Sequence, residues 1–174
     1  FYRHGWLYGT SGNFSIRDSV LRRESKEDDW AGEGFWMTIT GRHKADLTAD
    51  DFLHCDEDGE PLGDADVSSS SDTAIHRTLY ELRSDIGAVY HAHHIDAPCC
   101  GERDWSRGFS EFSGIEMLKG FGIPDPSVTV EIPVLPNEPT AEGQATVIRD
   151  YLQSDRFDAR VPGVNVHRHG LYVW

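Results

Sequence analysis

The stretch "SSSSDTAIHRTLYELRSDIGAVYHAH", residues 68–93, constrains the fold of this chain more than any other. Ile75, Leu79 and Leu82 recur at the spacing of one helical face, serines stand ahead of them and Gly87 follows, which are the start and stop signals of a helix. "AVYHAH" then continues at once as a strand. A helix handed directly to a strand calls for a sheet covered by helices, and the rest of the chain keeps that alternation. "GNFSIRD", "GFWMTIT" and "SVTVEIPVL" read as strands, and "LTADDFLHCDEDGEPLG" as a short helical turn leading into a hairpin. "TAEGQATVIRDYLQSD" reads as an amphipathic helix with Val147, Ile148, Tyr151 and Leu152 toward the core, and "GVNVHRHGLYVW" as a strand and turn. "RRESKEDDWAGEG" is expected to be a solvated loop. Without a repeat or a clear linker, residues 1–174 are expected to form one domain, long enough to bury a sheet under helices.

Charge narrows the partners. The chain carries 30 Asp and Glu against 16 Lys and Arg, a formal net charge of −14, which argues against a nucleic-acid or anionic-membrane partner. An anionic small ligand stays possible, because a local pocket can be positive on a negative protein. Only three of the basic residues are lysines, Lys26, Lys44 and Lys119, so the position of each matters. No stretch approaches the roughly 18 to 20 apolar residues of a membrane span, and no signal-peptide pattern is visible. The abrupt opening at "FYRHGW" leads us to expect a preceding segment. Cys55, Cys99 and Cys100 are odd in number and lack CxxC spacing, which fits a reduced, cytoplasmic protein.

Three histidines crowd "VYHAHHIDA", residues 89–97. On an extended segment His91 and His93 project to one side and His94 to the other. Two imidazoles on one face make half a metal site. A catalytic zinc takes three protein ligands and leaves a position open, and imidazole binds as the neutral base. "VHRHG" offers His167 and His169 on a second extended segment, so the candidate site is His91, His93 and one of those two. His4, His43, His54, His76 and His94 are assigned by default to surface or polar contacts.

Small-residue turns form the second constellation. "GTSGNFS" (residues 9–15), "TITGRHK" (residues 38–44) and "SSSS" (residues 68–71) offer backbone N–H groups and hydroxyls suited to phosphate oxygens. The serine run also opens a helix, whose unpaired N–H groups and dipole favour an anion. Lys44 can add a point charge. Together with a histidine metal site, these turns describe a pocket for a phosphorylated carbonyl compound.

"GTSGNFSIR", "TITGRHKADLTADDF", "SDTAIHRTLYELRSDIGAVYHAHHIDA" and "VHRHGLYVW" together resemble the successive motifs of the class II aldolase and adducin superfamily, in the family's order and from the first residues to the last. The resemblance implies an α/β fold, an α/β/α sandwich around a central mainly antiparallel sheet, and a homotetramer. It implies one zinc ion per subunit held by His91, His93 and His169, leaving His167 off the metal. Details resemble the branch that dehydrates a phosphorylated ketose in methionine salvage, whose acid/base glutamate falls here on Glu116 in "GIEMLKG". The family's sugar-phosphate aldolases carry a glutamate after the serines; this chain has Asp72. Arg168 stands where many relatives have glycine, and relatives continue past Trp174. On this reading Ser11, Gly12 and Asn13, then Thr40, Gly41 and Lys44, and finally Ser69, Ser70 and Ser71 fix the phosphate and hold the reactive carbons over the metal. Glu116 moves protons at the carbons that lose water. Two rivals follow from the same resemblance. One is an aldolase or epimerase that uses Asp72. The other is a non-catalytic scaffold, of which a metal-free purified protein would be the sign.

Overall fold

The computed structural model describes residues 1–24, 34–63 and 67–174. Eight strands form its sheet: β1 (Asn13–Arg17), β2 (Gly34–Thr38), β3 (Phe52–Asp56), β4 (Ala88–Ala92), β5 (Phe109–Phe112), β6 (Val130–Leu135), β7 (Gly163–Val166) and β8 (Gly170–Val173). They lie in the order β3-β2-β1-β4-β8-β7-β6-β5. Every pairing is antiparallel except β6 with β7, so the sheet is mixed and mainly antiparallel, as expected. Among the described residues four α-helices accompany it: α1 (Asp18–Glu24), α2 (Thr73–Leu82), α3 (Asp96–Asp104) and α4 (Ala141–Leu152).

The layers follow from the pleat. On β7, Val164 and Val166 face one side and Asn165 the other. The valines join Phe35, Met37, Val89 and Tyr172 in the main core, against Ile75 and Leu79 of α2 and Ala145, Ile148 and Tyr151 of α4. Asn165 faces α3, where its amide donates to the Ala97 carbonyl at 2.6 Å. Gly101 lets α3 lie close, since a Cβ there would stand 3.1 Å from the Asn165 amide nitrogen. Helices thus cover both faces of the sheet. Of the apolar faces read from the sequence, Ile75, Leu79, Ile148 and Tyr151 are buried, Val147 and Leu152 pack at the margin of the core, and Leu82 is half-buried.

Thr140 caps α4, its hydroxyl accepting from the Gly143 N–H at 3.1 Å, a contact typically worth about 1 kcal/mol. The charged stretch expected as a loop begins inside α1 instead, and residues 25–33 lie outside those described. A second, smaller core of Leu118, Ile123, Val130 and Val161 pins the 3₁₀ segment Glu116–Phe121 over β6. Leu118 is the anchor of that segment, leaving the residues around it free to face outward.

Candidate functional site

β4 is the seat of the site because both of its neighbours bring chemistry to it. Asn13 on β1 pairs with His91, and so does Tyr172 on β8. His91 is fully buried and its ring lies flat on Tyr172, with centroids 4.0 Å apart at 6°. Its Nδ1 bonds the Leu171 carbonyl at 3.0 Å. A carbonyl only accepts, so the proton sits on Nδ1 and Nε2 carries a bare lone pair. His93, two residues on and on the same face, places its Nε2 2.7 Å from that atom. His169, from the turn joining β7 to β8, places its Nε2 3.3 Å from it. One ligand atom from each of the three lies within 4.8 Å of the others.

Such a cluster suits a cation. Nitrogen lone pairs aimed at one another repel unless a proton or a metal ion lies among them. Burial pushes the His91 pKa well below the ordinary imidazole value and lowers those of His93 and His169, so the neutral, ligating form is favoured. The all-imidazole donor set fits zinc.

His167 is turned elsewhere. Its Nε2 donates to Glu102 at 2.7 Å, and its ring stacks on Trp105 at 4.2 Å and 8°. Arg168 donates to the same carboxylate through Nε and Nη2, both at 2.8 Å. Those bonds, Arg168 first, hold the Glu102 carboxyl down at about 2. Arg168 is the one non-glycine residue with positive φ among the described residues, at 56°. The turn that presents His169 is therefore bent through a backbone that glycine prefers, and Glu102 of α3 ties it down.

Three small-residue turns gather at the same end of β1. Thr40 N–H donates to the Ser68 carbonyl at 3.0 Å, Ile39 bridges Ser69, and Ser70 N–H donates to Thr38 at 3.1 Å. Lys44 N–H donates to the Gly9 carbonyl at 2.8 Å, and its ammonium donates to the Thr10 and Arg42 carbonyls at 2.8 and 3.0 Å. Ser11 closes its own turn, its hydroxyl donating to the Tyr8 carbonyl at 2.6 Å. Gly12 lies against the strand that carries His91: with φ at 76°, a Cβ there would stand 2.6 Å from the His91 carbonyl oxygen. Gly41 also turns through positive φ, at 73°. Lys44 is only 7% exposed and meets no carboxylate among the described residues, and burial lowers its pKa. Two of its three N–H bonds go to carbonyls. The third N–H and the charge are left to offer to an anion.

The two candidate acids fall differently. Asp72 places Oδ2 3.8 Å from His91 Nε2. Glu116 stands on the 3₁₀ segment with its side chain 74% exposed and ion-paired to Lys119, and no contact joins it to the histidines among the described residues. His4 and His43 are exposed and His94 partly so, and His54 makes a polar contact with Asp18, as expected; His76 makes polar contacts too, with Asn13 and Ser15, but is fully buried. Its position on the inner face of α2, one residue beyond Ile75, was the signal for that. A cavity of about 790 Å³, lined by Arg17, Asp18, Arg77, Tyr80 and Glu81 among others, opens at the far end of α2 and shares no residue with the histidine cluster.

The sequence matches the family described as Class II Aldolase and Adducin N-terminal domain over residues 1–174. It is 33% identical over 180 residues to a methylthioribulose-1-phosphate dehydratase of Leptospira biflexa, covering 100% of this chain and 80% of the relative. A protein of the same name from Geobacillus kaustophilus is 31% identical over 171 residues, covering 97% and 73%. Among solved structures, L-fuculose-1-phosphate aldolase from Thermus thermophilus superposes with a TM-score of 0.66 at 23% identity, over 99% of this chain and 71% of that one. The sugar-phosphate aldolase from Thermotoga maritima superposes with a TM-score of 0.61 at 15% identity, over 99% and 78%.

Proposed function

The chain belongs to the class II aldolase and adducin family, and from that premise we propose that it dehydrates 5-methylthioribulose 1-phosphate to 2,3-diketo-5-methylthiopentyl 1-phosphate, the hydro-lyase step of methionine salvage. The observation that carries the reading is the likeness to dehydratases of that name over nearly the whole of this chain. His91, His93 and His169 hold the metal. Zinc bound there supplies Lewis acidity toward the substrate's carbonyl and hydroxyl oxygens.

The chain's own groups do the rest. Lys44 gives its remaining N–H and its charge to the phosphate, and the turns at Ser11–Asn13, Thr40–Gly41 and Ser69–Ser71 close around it. Held at the phosphate end by Lys44, whose charge adds a little to the lowering of the His93 pKa, the sugar reaches toward the histidine cluster. Glu116 exchanges its ion pair with Lys119 for the substrate and moves the proton between C3 and the departing C4 hydroxyl. Loss of water across C3 and C4 leaves an enol that becomes the diketone. A homotetramer in the cytoplasm is the setting that goes with this assignment, and three free cysteines suit a reducing compartment.

One observation favours a second reading, aldol cleavage of a ketose 1-phosphate: Asp72 stands beside His91 and Glu116 does not. The test is product analysis of the zinc-loaded protein with methylthioribulose 1-phosphate, wild type beside Glu116→Gln and Asp72→Asn. Loss of one water by the wild type, abolished in Glu116→Gln, supports dehydration with Glu116 as the acid/base group. Unchanged substrate together with cleavage of fuculose 1-phosphate overturns it in favour of the aldolase.

A further inference from the structure

Asp72, His76 and Tyr80 follow one another every four residues along the start and body of α2, and Asn13, Ser15 and Arg17 follow every two along β1. Four helical residues rise about 6 Å and two strand residues about 6.6 Å, so the two rows stay in step and interleave. The amide of Asn13 donates to Asp72 Oδ2 at 2.6 Å, and its Oδ1 lies 2.6 Å from His76 Nε2. On the other side of that ring, Nδ1 lies 2.6 Å from the Ser15 hydroxyl, which lies 2.7 Å from the Tyr80 hydroxyl. The Arg17 guanidinium covers the Tyr80 ring at 4.7 Å and donates to the Tyr80 carbonyl at 2.6 Å, closing the row. Asn13, Ser15, His76 and Tyr80 are all buried.

Only one arrangement of hydrogens satisfies every bond when Asp72 is a carboxylate. Asn13 must give Asp72 its N–H and therefore turn its oxygen to His76, so the His76 proton sits on Nε2. His76 Nδ1 then accepts from Ser15, and Ser15 accepts from Tyr80. Every donor points toward Asp72. The reverse arrangement needs the Tyr80 hydroxyl to find an acceptor beyond Ser15, and none bonds it among the described residues. Burial drives the His76 pKa down to about 3, which keeps the ring neutral, as this bonding requires.

Asp72 is also withheld from its ordinary task. An aspartate at a helix N-cap normally accepts from the first-turn N–H groups. Asp72 makes no such bond, its carboxylate being turned to Asn13 and lying 3.8 Å from His91 Nε2. We propose that His76 is a positioning residue which, through Asn13, fixes the Asp72 carboxylate as an acceptor at the edge of the histidine cluster. The inference rests on that cluster being the reaction centre and not on which reaction it performs.

Two measurements test it, one of them independent of turnover. Nitrogen-15 NMR of the histidine side chains, with the His76 signals identified by their loss in His76→Gln, is expected to show Nε2 protonated and Nδ1 bare, and Asp72→Asn to shift the Nε2 signal. A ring protonated on Nδ1, or one indifferent to Asp72→Asn, overturns the proposal. In product formation, His76→Leu is expected to lower kcat about tenfold or more, with KM and bound metal per chain held. His76→Gln, which keeps an N–H near the Nε2 position, recovers most of that loss. In the Asp72→Asn background His76→Leu is expected to cost less than about twofold, and full additivity of the two substitutions overturns the proposal. Should His76→Leu fail to fold, Ser15→Ala, which strips Nδ1 of its partner, takes its place in the same cycle. If the wild type turns over no phosphorylated ketose, the dehydratase reading falls, and the NMR result alone decides the relay.

Discussion

Cys55 and Cys99 carry the same thiol and should behave as different reagents. Cys55 is fully buried in the main core, and burial raises its pKa to about 11; Cys99 is exposed. At pH 8 a thiol-specific reagent is expected to titrate Cys99 promptly and Cys55 only after denaturation, and prompt loss of all three thiols would contradict the packing. The histidines make the complementary case. Their spacing in the sequence placed His91 and His93 on one face, and alternation along a strand is enough to say so. Choosing His169 over His167 is different: by spacing alone both sit on the same segment two residues apart. The choice was legible only through the family likeness, and the structure shows its physical form in the partners of His167, Glu102 and Trp105. His91→Ala is expected to leave the purified protein without stoichiometric metal, measured by elemental analysis.

At the scale of elements, the turn between β7 and β8 is where local strain meets α3. A left-handed backbone costs a non-glycine residue about 1 kcal/mol or more, and at Arg168 that cost is offset by two bonds to Glu102. Glu102→Ala is expected to loosen the turn and weaken metal retention about tenfold in a chelator competition, the size of effect seen when supporting contacts of a metal site are lost. Adding Arg168→Gly should restore part of it by removing the strain, and a further loss would contradict this account. Thr140→Ala should cost about 1 kcal/mol in denaturant unfolding, for the cap at the start of α4. The elements that escaped the sequence share a cause. α3 contains Pro98 and Gly101, both poor helix formers, yet Pro98 lies in the first turn, where its missing N–H is harmless, and Gly101 is the point of close approach to Asn165. β5 is four residues long and gets its identity from pairing with β6.

For the molecule as a whole, acid stability should show the buried Asp104. Its bond to Arg103 holds the carboxyl at about 2, below its unfolded value of about 3.9, so the stability it contributes is present above about pH 4 and is lost as pH falls toward 2. Asp104→Asn is expected to flatten the fall of Tm across that window, and an unchanged profile would remove Asp104 from the account. What the sequence by itself determined is what short-range chemistry can encode: the apolar face of α2, the strand that follows it, the shared side of His91 and His93, and turns rich in N–H groups. Tertiary structure decided which of these met. The turn at residues 9–15, the turn that carries Thr40 and Lys44, and the serine run are far apart in the chain and meet only when β1, β2 and the start of α2 come together. Asp72 stands at the N-cap of α2, and the direction of its carboxylate was settled by β1 lying in step with α2, where strand and helix repeats of nearly equal length lock Asn13, His76 and Ser15 into one row. Periodicity is a local property and survives in the sequence, whereas the register between two elements is fixed by packing and is visible only once they touch.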